Sequence, residues 1–367
     1  MVIVIALGIA FLIPLVFLYF IKKRDLFATG KYNFVVFSMV WGLAAYLIAA
    51  QLNPFIIDMK WATETQVKTM IGPILEELLK AVILVYLVQR ADFNYVVDGA
   101  VYGFAAGIGF AMIENVEYVL GYSEIAIVVA VARVFSTNLI HAAGSGVIGV
   151  ALSLRLGEKG AKGWLWVALG YGLASAFHAI FNTMVSSGAA VVFAVMFGGV
   201  GIGFIYLAIQ RGLKSQKAFI SEKLGDLNRV TQNEVRALNR IEELDELLRP
   251  FTLQFGKEKS DMVKSMMSKQ AEIAIKTKLL DTTFNKDKKE EMNRIIASLR
   301  ADMEALRGRL GSYCMLIVRQ VYLSQDMNLW GAIQDRVAES STGQKGGGLW
   351  DRAASRAQSS KSKEDEL

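Results

Sequence analysis

The chain has one cysteine, Cys314, and two histidines, His141 and His178, in 367 residues. A single cysteine excludes an intramolecular disulfide framework and any zinc site built on cysteine ligands. There is no H-E-x-x-H pair, so no metal site declares itself by spacing. Basic residues are missing where a secretory leader would carry them. Residues 2–21 form an unbroken apolar run with no basic segment before it and no small-residue cleavage site, and Lys22, Lys23 and Arg24 follow. That run reads as a retained membrane span.

What is abundant is apolar surface. The chain is 53% hydrophobic with a mean hydropathy of +0.37, yet 20% charged. The two figures are compatible only if the classes are segregated, and they are. Residues 1–210 hold nearly all the long apolar runs, and residues 211–367 hold most of the charge. The expected fold is all-α: a polytopic membrane helix bundle (1–210), a C-terminal cytoplasmic helical region (211–339), and a Gly-, Ser- and Lys-rich tail (340–367) expected to be disordered. The net charge of +6 and pI near 9.2 suit a protein of the inner leaflet and call for no nucleic acid.

Seven spans are expected, at about 2–21, 33–52, 71–88, 96–120, 125–154, 164–186 and 189–209. With the N-terminus outside, one side receives Lys22, Lys23, Arg24, Lys31, Arg90, Arg155, Lys159, Lys162, Arg211, Lys214 and Lys217, and the other only Lys60 and Lys68. The positive-inside rule then places the C-terminus in the cytoplasm. Beyond the spans, 224–248 reads as an amphipathic helix and 313–337 as a short final one. Met292, Ile296, Leu299, Met303, Leu306 and Leu310 recur at bundle spacing, which predicts a small helical bundle or self-association.

The spans contain residues that lipid penalises, at about 2.5–3.5 kcal/mol for each charged side chain on insertion scales. Span three carries Glu76, Glu77 and Lys80. Span four carries Asp98, Glu114, Asn115 and Glu117, span five Arg133, Asn138 and His141, and span six His178 and Asn182. Spans one, two and seven offer almost none. Glu76 and Lys80 are four apart and expected to pair. Arg133 and His141, eight apart, share a helix face, as do His178 and Asn182. Glu76, Glu114, His141 and His178 are then expected to meet at one interior point, in the outer half of the bilayer. Gly99, Gly103 and Gly107 form a ladder that lets helices approach closely.

These residues carry a resemblance. Glu76-Glu-Leu-Leu-Lys80, Phe110-Ala-Met-Ile-Glu114 followed by Asn115, His141, and His178-Ala-Ile-Phe-Asn182 look like the motif series of the PrsW family. These are intramembrane proteases related to the type II CAAX prenyl endopeptidases. The resemblance covers about residues 70–185. Many relatives carry Asp where this chain has Asn182, which bears on substrate preference more than on activity.

The resemblance implies hydrolysis of a peptide bond in a membrane-anchored protein, such as an anti-sigma factor, by a prokaryotic multi-pass protein of the cell membrane. It implies a glutamate-activated water without an acyl-enzyme. Glu76 is then the base, with Glu77, Glu114, His141, His178 and Asn182 as the other catalytic candidates. Lys80, Asn115 and Arg133 support them, and no cofactor is required. A zinc site on Glu114, His141 and His178 competes with that reading. Two further readings use the same cluster: an ion- or proton-coupled transporter, and a catalytically inert membrane scaffold. No inverted repeat is visible, and Pro73 is the only proline in the site-bearing spans, which weighs against transport.

Overall fold

The computed structural model describes residues 1–22, 31–156, 158, 160–186, 191–225, 244–283 and 285–318, and every regular element among them is a helix. In chain order these are α1 (Val2–Lys22), α2 (Tyr32–Asp58), the short α3 (Glu64–Gln66), α4 (Gly72–Gln89), α5 (Val96–Gly121), α6 (Ala126–Val134), α7 (Thr137–Leu156), α8 (Ala161–Ser186) and α9 (Val191–Gly225). The C-terminal part adds α10 (Leu244–Leu247), α11 (Arg249–Phe255), α12 (Lys257–Thr282) and α13 (Lys286–Ile317).

Helix α5 is the axis of the bundle, buried without a break from Val96 to Met112. Its sequence there is apolar or small on every face except at Asp98, the pattern of a helix enclosed by others. The glycine ladder explains how α7 comes so close. A Cβ on Gly99 would overlap the carbonyl of Gly149, one on Gly103 that of Ser145, and one on Gly107 that of His141. Each step of four along α5 is matched by four steps back along α7, so the two run antiparallel in backbone contact.

Helix α4 buries charged residues and turns apolar ones outward. Pro73, Glu77, Lys80, Leu84 and Leu87 are buried, while Leu78, Val82, Val85 and Tyr86 are exposed. A water-facing helix has the opposite pattern, so this face belongs against lipid. Among the described residues, six helices or helix pairs are long and apolar enough to cross a membrane; α4 is not among them. Seven spans were expected. The difference is this third one, which stays helical for 18 residues but carries Glu76, Glu77 and Lys80.

Two further expectations are corrected. The fifth span is interrupted at Phe135 and Ser136, where the Ser136 hydroxyl donates to Ala132 O at 2.6 Å and the chain re-enters a helix at Thr137. Serine back-bonding of this kind bends helices. Arg133 and His141 therefore lie on different helices, and their shared face does not come from one helical period. The chain also does not break at 210, because α9 runs through that position to Gly225.

The C-terminal helices dock on the end of the bundle formed by the α4–α5 link. Lys276 Nζ donates to Ala91 O at 2.7 Å, Lys288 Nζ donates to Val88 O at 2.8 Å, and Arg90 lies 3.7 Å from Glu291. Lys276 is fully buried, and burial pushes its pKa down against the pull of Glu272. On α13, Met292, Ile296, Leu299, Met303 and Leu310 are buried, with α12 packed alongside, so the expected stripe is closed within the chain. Helix α13 is kinked at Gly311, whose φ of 79° suits glycine. Most of the expected 224–248 and 313–337 helices, and all of 340–367, lie outside the described residues.

Candidate active site

Helices α4, α5, α7 and α8 alternate in direction. Glu76 near the start of α4, Glu114 late in α5, His141 near the start of α7 and His178 late in α8 therefore fall at one end of the bundle. Several contacts set the position of α4. Trp41 Nε1 donates to Leu79 O at 2.9 Å, and the Tyr171 hydroxyl donates to Ile74 O at 2.8 Å. Ahead of it, Thr63 and Gln66 form a reciprocal capping box, and residues Val67–Ile71 make a π-helical turn. Such turns are frequent beside functional sites.

The cluster is a chain of charge-assisted contacts. Lys80 Nζ lies 2.7 Å from Glu77 Oε1 and 2.8 Å from His141 Nδ1, and all three side chains are fully buried. An ammonium has hydrogens and no lone pair, so His141 accepts at Nδ1 and carries its proton on Nε2. That Nε2–H donates to Glu114 Oε2 at 2.8 Å. Arg133 Nη2 meets the same oxygen at 2.9 Å, and its Nε donates to Asn115 Oδ1 at 2.8 Å. Asn115 in turn donates to Asn138 Oδ1 at 3.1 Å.

On the other side, His178 Nδ1 donates to Glu77 Oε1 at 3.1 Å, which leaves its Nε2 lone pair 3.7 Å from Glu76 Oε2. The two imidazoles stand edge to face with centroids 4.6 Å apart, and Phe110 closes the site beneath Lys80 and His141. Gly144 gives room for Glu77, whose carboxylate lies 3.2–3.3 Å from where a Cβ would sit.

The structure thus brings together Glu76, Glu77, Lys80, Glu114, Asn115, Arg133, His141 and His178. Four expectations change. Lys80 pairs with Glu77 three residues back, not with Glu76, because Glu77 shares the buried face with it. The carboxylate grouped with both imidazoles is Glu76: ligand atoms of Glu76, His141 and His178 all lie within 4.8 Å of one another. Glu114 was expected in that place but is held by Arg133 and His141. Asn182 stands apart, donating to Lys68 O at 3.1 Å on the exposed rim. Finally, α2 runs past the expected end of span two at 52 and does contribute, since Asn53 Nδ2 donates to Glu76 Oε1 at 3.3 Å. The signal for Asn53 was an amide, with Gln51 two residues before it, at the end of an apolar run.

Residues 30–209 match the family model described as PrsW family intramembrane metalloprotease. Over that segment the chain belongs to the PrsW family. No curated protein and no solved structure gives a match. The chain is accordingly a multi-pass membrane protein and an intramembrane protease, and every member of the buried cluster lies inside the matched segment.

The residues of this PrsW-family site suit a divalent metal. Two imidazoles and a carboxylate with an open fourth position make a catalytic zinc ligand set. Ligands on a tetrahedral zinc sit about 3.3 Å apart, so this group would need to close by only about 1–1.5 Å. The carboxylate of Glu77 fixes His178 with Nε2 facing Glu76, the usual outer support of a ligating histidine. Glu77 Oε2 is buried with no hydrogen-bond partner among the described residues. Glu76, Glu77 and Glu114 outnumber Lys80 and Arg133, which leaves a negative surplus that favours a cation.

Proposed function

We propose that this chain cuts a peptide bond in or beside the membrane segment of a membrane-anchored protein, at a site where Glu76, His141 and His178 hold zinc. The observation that carries the reading is the convergence of those three side chains from three helices within 4.8 Å. When bound, zinc supplies a water acidic enough to be a nucleophile near neutrality and polarises the scissile carbonyl.

The protein's own groups have defined parts. Glu77 fixes the tautomer of His178. Lys80 holds Glu77 and, by donating to His141 Nδ1, competes with the metal for that nitrogen. When Lys80 withdraws it keeps Glu77 as its partner. Arg133 keeps Glu114 beside His141, where the carboxylate accepts the Nε2–H and so fixes Nδ1 as the nitrogen free to ligate. Asn53 orients the Glu76 carboxylate. Asn182, away from the cluster, is better suited to steadying the Val67–Ile71 turn at its Lys68 carbonyl than to binding an oxyanion.

A second reading has its own support. Both nitrogens of His141 are already bonded within the protein, which suits metal-free catalysis with Glu76 as the base. Metal analysis separates the two. On the zinc reading the purified protein holds about one ion per chain and His178→Gln loses it. A fully active preparation with no bound metal would leave the glutamate reading in place.

A further inference from the structure

Far from the catalytic cluster, a cavity of about 550 Å³ lies between the end of α4, the α7–α8 link and the α12–α13 link. Its size is that of a small-ligand site. The lining is mixed: Val88, Leu156 and Trp164 supply apolar surface, and Gln89, Asn285, Arg155 and Lys288 supply amide and basic groups. The Arg155 guanidinium lies 4.0 Å from the Trp164 ring centroid. Stacking of that kind leaves the N–H edge free to donate. Lys288 reaches the cavity with its Nζ on Val88 O, and burial, reinforced by Lys276, draws its pKa down to about 8. Neither cation has an ion pair among the described residues. Glu158, the one acid among the described lining residues, is bonded to Lys162 at 2.8 Å.

The depth of the cavity is marked by Trp164, 60% exposed at the start of the apolar helix α8. Exposed tryptophan at the end of a span lies at headgroup level. Two partly desolvated cations at that level, with amide groups beside them, make a receptor for phosphate oxygens: Arg155 as a fork and Lys288 as a point charge.

We propose that this cavity binds a phosphate group, carried either by an acidic phospholipid or by a small phosphorylated solute. Most of the site comes from the membrane bundle, and the C-terminal helices, outside the segment that defines the family, add Thr282, Thr283, Asn285 and Lys288. Its occupant would join the two parts at the end of α4, the helix that bears Glu76, Glu77 and Lys80.

The test uses the full-length protein. Native mass spectrometry of protein extracted from phosphatidylcholine bilayers, with and without phosphatidylglycerol, reads retained lipid, and glycerol 3-phosphate is added as a competitor. The expected result is retention of phosphatidylglycerol over phosphatidylcholine, reduced about tenfold or more by Arg155→Gln and again by Lys288→Gln. Lys286→Gln, which removes an exposed neighbouring charge outside the lining, should leave retention unchanged. Displacement by glycerol 3-phosphate would assign the site to a soluble ligand, and persistence of the lipid to the headgroup. Equal retention of the two lipids with no glycerol 3-phosphate bound would overturn the proposal. So would losses as large in Lys286→Gln as in Arg155→Gln, which would mean only a general surface charge. Each variant is first checked for an unchanged unfolding temperature.

Discussion

Lys80 touches the two groups that matter most to the site's protonation pattern, Glu77 and His141, and does so with no access to water. Lys80→Met keeps the length of the side chain and removes both contacts. It leaves Glu77 as a buried carboxylate facing only His178, and removal of one partner of a buried pair costs about 3–5 kcal/mol. Thermal unfolding in detergent should show that loss; an unchanged midpoint would mean that the pair is not buried as described. The polar residues themselves were legible in the sequence, since charges and imidazoles inside apolar spans have few uses other than function. Their pairing was not. Positions 76 and 77 both lie within one turn of Lys80, and the choice falls to Glu77 because α7 and α8 supply His141 and His178 on that face. Asn53 was overlooked because an amide at the end of an apolar run costs little and has no periodic signature.

Among the elements, α5 and α7 set the geometry. The glycine spacing in α5 announced a close approach but not the partner. The partner is legible only in the structure, where Gly99, Gly103 and Gly107 meet Gly149, Ser145 and His141 in turn. Gly103→Leu should push α7 away, destabilise the bundle by about 1–3 kcal/mol or more, and displace His141 from Glu114 with loss of cleavage. Gly172→Leu is the control, since a Cβ there meets nothing within 4 Å. Unfolding midpoints that shift equally for the two variants would refute the ladder. The break between α6 and α7 escaped sequence reading because no proline or glycine marks it; a serine bonding back to the preceding turn is sufficient.

For the molecule as a whole, segregation of apolar and charged residues was enough to separate a membrane bundle from a charged C-terminal part. It could not reveal that α9 joins them without interruption or that Lys276 and Lys288 fasten the second part to the α4–α5 link. Basic residues gather at that end of the bundle, and we propose that it faces the cytoplasm, with the catalytic end outward. A cysteine placed at Lys60 should react with an impermeant maleimide on intact cells, and one placed at Lys214 should react only after lysis. The reverse pattern would invert the topology.

The central claim is that the buried cluster hydrolyses peptide bonds. The most direct measurement is cleavage of a panel of single-span membrane proteins by purified protein, with Glu76→Gln alongside and a chelator arm restored by zinc. The account predicts cleavage by the wild type, a loss of at least about 10²-fold in Glu76→Gln, and a chelator loss that zinc reverses. Cleavage by Glu76→Gln at the wild-type rate would contradict it.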